Sequence, residues 1–147
     1  MPHFSIAIGP GGPLLDAIVG VSQARLAALT AASQPMPSAQ RVRALLDTGA
    51  SCTCVDPSIL AALSIPSTGT TLVNSPTTGS SPQTVNVYDV GILIPGATLP
   101  PLFLSTVAVA ELELLQVQGF HVLIGRDILA SCVVHYNGPL KLVTVSY

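Results

Sequence analysis

Apolar and polar positions in this chain alternate over short runs that are repeatedly cut by Gly, Pro, Ser and Thr, which is the signature of half-buried strands rather than long helices. Residues 3–9 and 14–21 read as strands on either side of a Gly/Pro-rich turn. From 23 to 40 the chain is Ala-rich and then carries Pro35 and Pro37. Residues 25–29 fit a helical turn or the tip of a long hairpin, and a hairpin excursion is the preferred reading. A strand over 40–47 follows, then a β-prone stretch over 51–55. A short helix over 56–63 has Asp56 at its N-cap and Pro57 at its first position.

The middle of the chain has a different character. Residues 66–84 are built from Pro, Ser, Thr and Gly, and no charged residue occurs from Pro57 to Tyr88. Two β-prone arms, 70–73 and 84–88, flank a neutral tip around 75–81, the pattern of a long hairpin. Strands over 90–94 and 102–109 are separated by a Pro/Gly turn. Residues 110–119, with Glu111 and Glu113, form a loop or a helical turn. An apolar strand at 122–124 ends in Gly125 and enters a short helical segment. A terminal hairpin closes the chain over 133–136 and 140–145, turning at Asn137-Gly138-Pro139. The pattern as a whole predicts a mostly β chain with two short helices.

Composition narrows the function classes. At 147 residues, the length suits one domain spanning 1–147 and is short for two complete lobes. Charged residues make up 8% and apolar residues 49%, so a second subunit is expected to cover part of the surface. The net charge is −2, and the cations are Lys141 and the arginines at 25, 41, 43 and 126. No basic stripe is available for a phosphate backbone, so nucleic acid is not an expected partner. The N-terminal apolar run lacks a cationic start and is broken early by Gly and Pro. Pro95, Pro100 and Pro101 interrupt the uncharged stretch 90–110, so neither a signal sequence nor a membrane span is expected. Three cysteines, an odd number, fit a reducing compartment, and the cytoplasm is the simplest location.

The candidate chemistry centres on Ala44-Leu45-Leu46-Asp47-Thr48-Gly49-Ala50-Ser51, where an apolar strand delivers a carboxylate into a tight turn. Further on stands Val122-Leu123-Ile124-Gly125-Arg126-Asp127-Ile128-Leu129. In this order and at this separation, the two stretches resemble the retropepsin-like aspartic proteases, whose fold is a closed β-barrel with a flap hairpin. The resemblance covers about residues 42–60 and 120–132. It implies that Asp47 is the catalytic aspartate and that Gly125 and Arg126 support its loop from behind. By the same resemblance the Thr48 hydroxyl braces the opposite loop across a dimer axis, Gly49 lets the backbone approach substrate, and Ala50 keeps the floor small. Ser51 departs from the retroviral pattern, in which an aspartate there pairs with the Arg. That leaves Asp127, Asp56 or another acid as the expected partner of Arg126. The flap, with Ser75, Thr77, Thr78, Gly79 and Ser80 as candidate substrate contacts, is less glycine-rich than retroviral flaps.

One aspartate alone is a poor acid at working pH, but two carboxylates about 3 Å apart share a proton, so that one serves as base and the other as acid. A two-fold axis between two copies of Asp47 supplies that pair. The expected activity is hydrolysis of polypeptides by a homodimeric aspartic endopeptidase, with no metal and no cofactor in the reaction. A different class stays open, a dimerising or peptide-holding module of the same fold. Asp47 can also serve merely as a turn cap, a common use of Asp before Gly. Cys52, Cys54, Cys132 and His135 raise the question of zinc, but Cys-x-Cys is not the usual ligand spacing, and buried free thiols are the better reading. Asp16 and Asp89 lack a Thr-Gly context and read as solvated strand or turn residues.

Overall fold

The structure is a computed structural model that describes residues 1–74, 81–97 and 100–147. The first two strands, β1 (His3–Gly9) and β2 (Gly12–Val21), fold back on each other where Gly9 pairs with Gly12. Gly12 turns the chain at φ +92°, a conformation side chains other than glycine rarely adopt. Beyond β2 the chain forms a helix, α1 (Gln23–Ala31), and not the hairpin tip expected there. Its residues are mostly strong helix formers, and the Ser22 side chain caps it by accepting the Arg25 N–H at 3.3 Å. Only Leu29 of this helix is buried, so it rides on the surface between two strands that still pair as arms.

The second arm, β3 (Gln40–Leu46), buries Val42, Ala44 and Leu46 and turns Arg41 and Arg43 outward, as period-two alternation requires. Next come β4 (Cys54–Val55), α2 (Pro57–Leu63), β5 (Gly69–Val73), β6 (Gln83–Ile94) and β7 (Leu102–Glu111). The chain ends with α3 (Leu115–Gln118), β8 (Val122–Ile124), α4 (Arg126–Leu129), β9 (Val133–Asn137) and β10 (Leu142–Ser146). The expected helices at 57–63 and after Gly125 are present. α1 is additional, and residues 115–118 take the helical-turn option left open for 110–119. The arm at 84–88 and the strand at 90–94 are one continuous strand, β6, with a register shift between Val90 and Ile92 rather than a break.

Six strands close into a barrel in the order β2–β3–β8–β4–β7–β6, and β6 returns to β2 through pairs from Ile18–Leu93 to Val21–Val90. The β3–β8 and β4–β7 pairs are parallel and the other pairs antiparallel. Val19, Val42, Ala44, Val90, Ile92, Val109, Val122 and Ile124 fill the interior. β5 extends the sheet beyond β6, while β1, β10 and β9 extend it beyond β2. No helix among the described residues is long and apolar enough to cross a membrane.

Candidate active site

Barrel closure brings the two motifs together. β3 and β8 run side by side with Leu45 opposite Leu123 and Leu46 opposite Ile124, and the ladder continues past β3 as the Asp47 N–H donates to the Ile124 carbonyl at 3.0 Å. Asp47 therefore leaves the strand with its backbone still anchored, and the turn begins at Thr48. The Gly49 N–H donates to Asp47 Oδ1 at 2.8 Å, and the Ala50 N–H donates to the Asp47 carbonyl at 3.4 Å. A Cβ on Gly49 would stand 3.1 Å from Oδ1, so a side chain there would crowd the carboxylate. Oδ2 has no hydrogen-bond partner among the described residues. Asp47 is half-buried, while Thr48 and Gly49 are exposed.

The second motif supports this turn by backbone contact. Gly125 passes so close to the chain at Cys52 that an added Cβ would sit 2.5 Å from the Cys52 carbonyl carbon and oxygen. Glycine is required here by proximity. Among the described residues Arg126 does not pair with an acid. Its backbone N–H donates to the Ala50 carbonyl at 3.0 Å and its Nε donates to the same oxygen at 3.4 Å, which ties α4 to the Asp47 turn. The acids expected as partners are engaged elsewhere. Asp127 accepts the Thr53 N–H at 2.9 Å, the Thr53 hydroxyl at 2.7 Å and the Ile128 N–H at 2.9 Å. Thr53, fully buried, in turn accepts the Gly125 N–H at 3.1 Å.

Asp56 does more than cap α2. One oxygen accepts the Ser58 N–H and hydroxyl, and the other accepts the N–H groups of Leu114 and Leu115 at 3.0 and 2.8 Å, pinning the start of α3. Burial pushes its pKa up. The hydrogen bonds from Leu115, Ser58 and Leu114 outweigh that and hold it below the ordinary carboxylate value. Thr53 and the reach of Asp56 to α3 were not singled out from the sequence, and Asp127 was expected to pair with Arg126, not with Thr53. Asp127 stood inside the second motif, but nothing local marks Thr53 as buried.

A cleft of about 500 Å³ opens over Asp47. Its lining includes Leu45 and Leu123 from the paired β3 and β8, Leu112 and Gln118, and Leu72, Val73 and Asn74 at and just past the end of β5. Asp47 is the one carboxylate among the described residues that line it. The proposed flap contacts Ser75, Thr77, Thr78, Gly79 and Ser80 lie outside the described residues. Cys52 and Cys54 also border the cleft. Burial first, then the Cys52 thiol and the charges of Asp127 and Asp47, push the Cys54 thiol up to about 12, so it stays protonated and is no nucleophile at neutral pH. All three cysteines are free. Cys54 is buried, whereas Cys52 and Cys132 are half-buried. No group of three or more His, Cys, Asp or Glu side chains suited to hold a metal occurs among the described residues.

The profile of the aspartyl protease family matches residues 38–128. No curated protein sequence matches the chain. The crystal structure of a retropepsin-like aspartic protease from Rickettsia conorii is similar in fold, with a TM-score of 0.60 at 15% identity over 99% of this chain and 90% of that one. The closed barrel is thus of retropepsin type. The matched span runs from before β3 into α4, more than half of the chain, and contains both the Asp47 turn and the Gly125–Arg126 segment hydrogen-bonded behind it, so the chain belongs to the aspartyl protease family.

Proposed function

We propose that this protein is a homodimeric aspartic endopeptidase, with residues 1–147 forming one protease domain that takes polypeptide substrates. The observation that carries the reading is the single carboxylate, Asp47, on a cleft large enough for peptide side chains. Aspartic chemistry needs two carboxylates sharing a proton, and one chain supplies half of that pair. A second copy related by a two-fold axis through the Asp47 turns supplies the other half, with Thr48 at the junction. The ionised Asp47 takes a proton from a water held between the two carboxylates as the water attacks the peptide carbonyl. The protonated Asp47 donates to the developing oxyanion; when the tetrahedral intermediate collapses it takes that proton back, while the Asp47 protonated by the water gives its proton to the leaving amine. Leu72, Val73 and Asn74 cover the substrate from above, and Leu45 and Leu123 offer apolar contact to side chains beside the scissile bond.

Digestion of an unstructured protein such as casein between about pH 4 and pH 7, with and without a statine-type inhibitor, tests the activity. Inhibitor-sensitive cleavage with a bell-shaped pH profile on the acidic side of neutrality is expected, because the rate follows the singly protonated pair. A rate that climbs steadily to pH 9, or cleavage that survives Asp47→Asn, overturns the reading. Peptide binding without hydrolysis would identify a peptide-holding module instead.

A further inference from the structure

A second cavity, of about 450 Å³, opens on the outer face of the barrel. Arg41, Arg43, His121, Asp16 and Pro95 are among its lining residues. It continues the face that carries the cleft. Leu45 and Leu123, neighbours across the parallel β3–β8 pair, line the Asp47 cleft. Two residues earlier in the chain stand Arg43, on β3, and His121, just before β8, which are joined directly. The His121 N–H donates to the Arg43 carbonyl at 2.8 Å, and the Arg43 N–H donates to His121 Nδ1 at 3.2 Å. Residues two apart on a strand share a face, so Arg43 and His121 follow the two leucines about 7 Å along it, and Arg41 follows about 7 Å further.

The charge of this cavity is unusual for the chain. Only five Lys and Arg side chains occur in the sequence, and two of them line it. Both are exposed, and neither guanidinium makes an ion pair or hydrogen bond among the described residues. His121 accepts at Nδ1, which leaves the ring proton on Nε2 as a further donor. Asp16, cross-strand from Arg43, is the one acid in the lining and offsets part of the positive charge. The balance suits singly charged carboxylates better than phosphate dianions. Guanidinium forks match carboxylates geometrically.

We propose that this cavity is a distal subsite that binds acidic side chains of the polypeptide substrate, with Arg41 and Arg43 as specificity-determining residues. The proposal rests on the protease reading for its position relative to a scissile bond. Along β3, Arg43 and Arg41 lie about 13 and 20 Å from Asp47, a span that about four to six extended residues cover. Acidic residues at that distance, on one side of the cleaved bond, are the ones recognised.

Peptides with an apolar centre and a run of either Glu or Gln at one end, labelled with fluorescein, provide the test. Binding is measured by anisotropy at about pH 6, where Glu is ionised, on Asp47→Asn protein so that hydrolysis plays no part. The Glu peptide is expected to bind about three- to five-fold more tightly than the Gln peptide, the size of one or two partly exposed ion pairs, and the advantage is expected to vanish in high salt. Adding R41Q and R43Q should remove the advantage while leaving Gln-peptide binding unchanged, and R41K with R43K should keep part of it. Equal binding of the two peptides, failure of both to bind, or an advantage that persists in the Gln double variant overturns the proposal. Cleavage of the same peptides by wild-type protein reports separately on the protease reading. Hydrolysis without Glu preference would remove the subsite alone, and Glu preference without hydrolysis would remove the protease alone.

Discussion

Asp56 is 4% exposed and accepts four hydrogen bonds, two from Ser58 and one each from Leu114 and Leu115. Its pKa in the folded chain lies below the ordinary, unfolded value. The stabilisation it contributes is therefore complete above about pH 4 and is lost as the pH falls through the lower folded value. Asp56→Asn places an amide among four donors, and the variant is expected to lose about 2 kcal/mol at pH 7. The loss should shrink at about pH 2.5, well below the ordinary carboxylate value, where wild type has begun to give up its own advantage. Thermal unfolding of both proteins at the two pH values checks this, and an equal gap at both would remove the carboxylate charge from the account. Gly125 is held to glycine by the Cys52 backbone 2.5 Å from where a Cβ would stand. Gly125→Ala must push the Cys52–Thr53 chain away from α4 and is expected to destabilise by about 3 kcal/mol in urea titration. An unchanged midpoint would show that the two segments part without strain.

Among the elements, β5 is the weakest strand over the cleft. It pairs with β6 alone at the end of the sheet, and four of its five residues are exposed, including Leu72 at 67%. Little apolar burial opposes its opening. In the free protein the amides of Gly69 to Leu72 are expected to exchange about a hundred-fold faster than those of β3, which is paired on both sides. A statine-type inhibitor should slow β5 selectively, because Leu72 and Val73 border the cleft. Hydrogen–deuterium exchange resolves both states, and β5 amides as slow as those of β3 would remove its role as a lid. The ends of this hairpin's arms next to the tip were legible to within a residue or two, since alternation and turn residues are local signals, but the second arm runs on to Ile94 rather than ending at 88. α1 was misread because Pro35 and Pro37 resemble hairpin-turn residues, whereas Ala-rich composition and the Ser22 cap decided for helix.

At the scale of the whole molecule, the reading requires each site to take Asp47 from two chains. Asp47→Asn is nearly isosteric and should fold and dimerise as wild type does, yet hydrolyse nothing. In a mixed dimer one carboxylate remains, but Asn neither takes a proton from water nor gives one to the oxyanion, so the mixed dimer should be almost inactive. Wild type and mutant unfolded, mixed equally and refolded together at fixed total concentration should keep roughly a quarter of the activity, as random pairing dictates. A fall to only about one half, with chain exchange confirmed by cross-linking, would mean that each chain carries a complete site.

What the sequence determined by itself was local. Three apolar residues before Asp47 and a Gly two after it specify a strand that ends in a turn, and Asp56 before Pro57 specifies a helix start. The tip at Asn137-Gly138 between two β-prone runs marks the terminal hairpin. These signals act over a few residues, so they survive without the rest of the chain. Tertiary structure decided the pairings between distant segments. The return of β6 to β2 closes the barrel, and the parallel alignment of β3 with β8 sets Leu45 beside Leu123 and Arg43 beside His121. The same closure buries Thr53 against Asp127 and turns Arg126 to the Ala50 carbonyl rather than to an acid. Each of those contacts joins residues about seventy or more positions apart. Such partners depend on which strands lie next to each other, a choice made by burying the apolar faces of all the strands together.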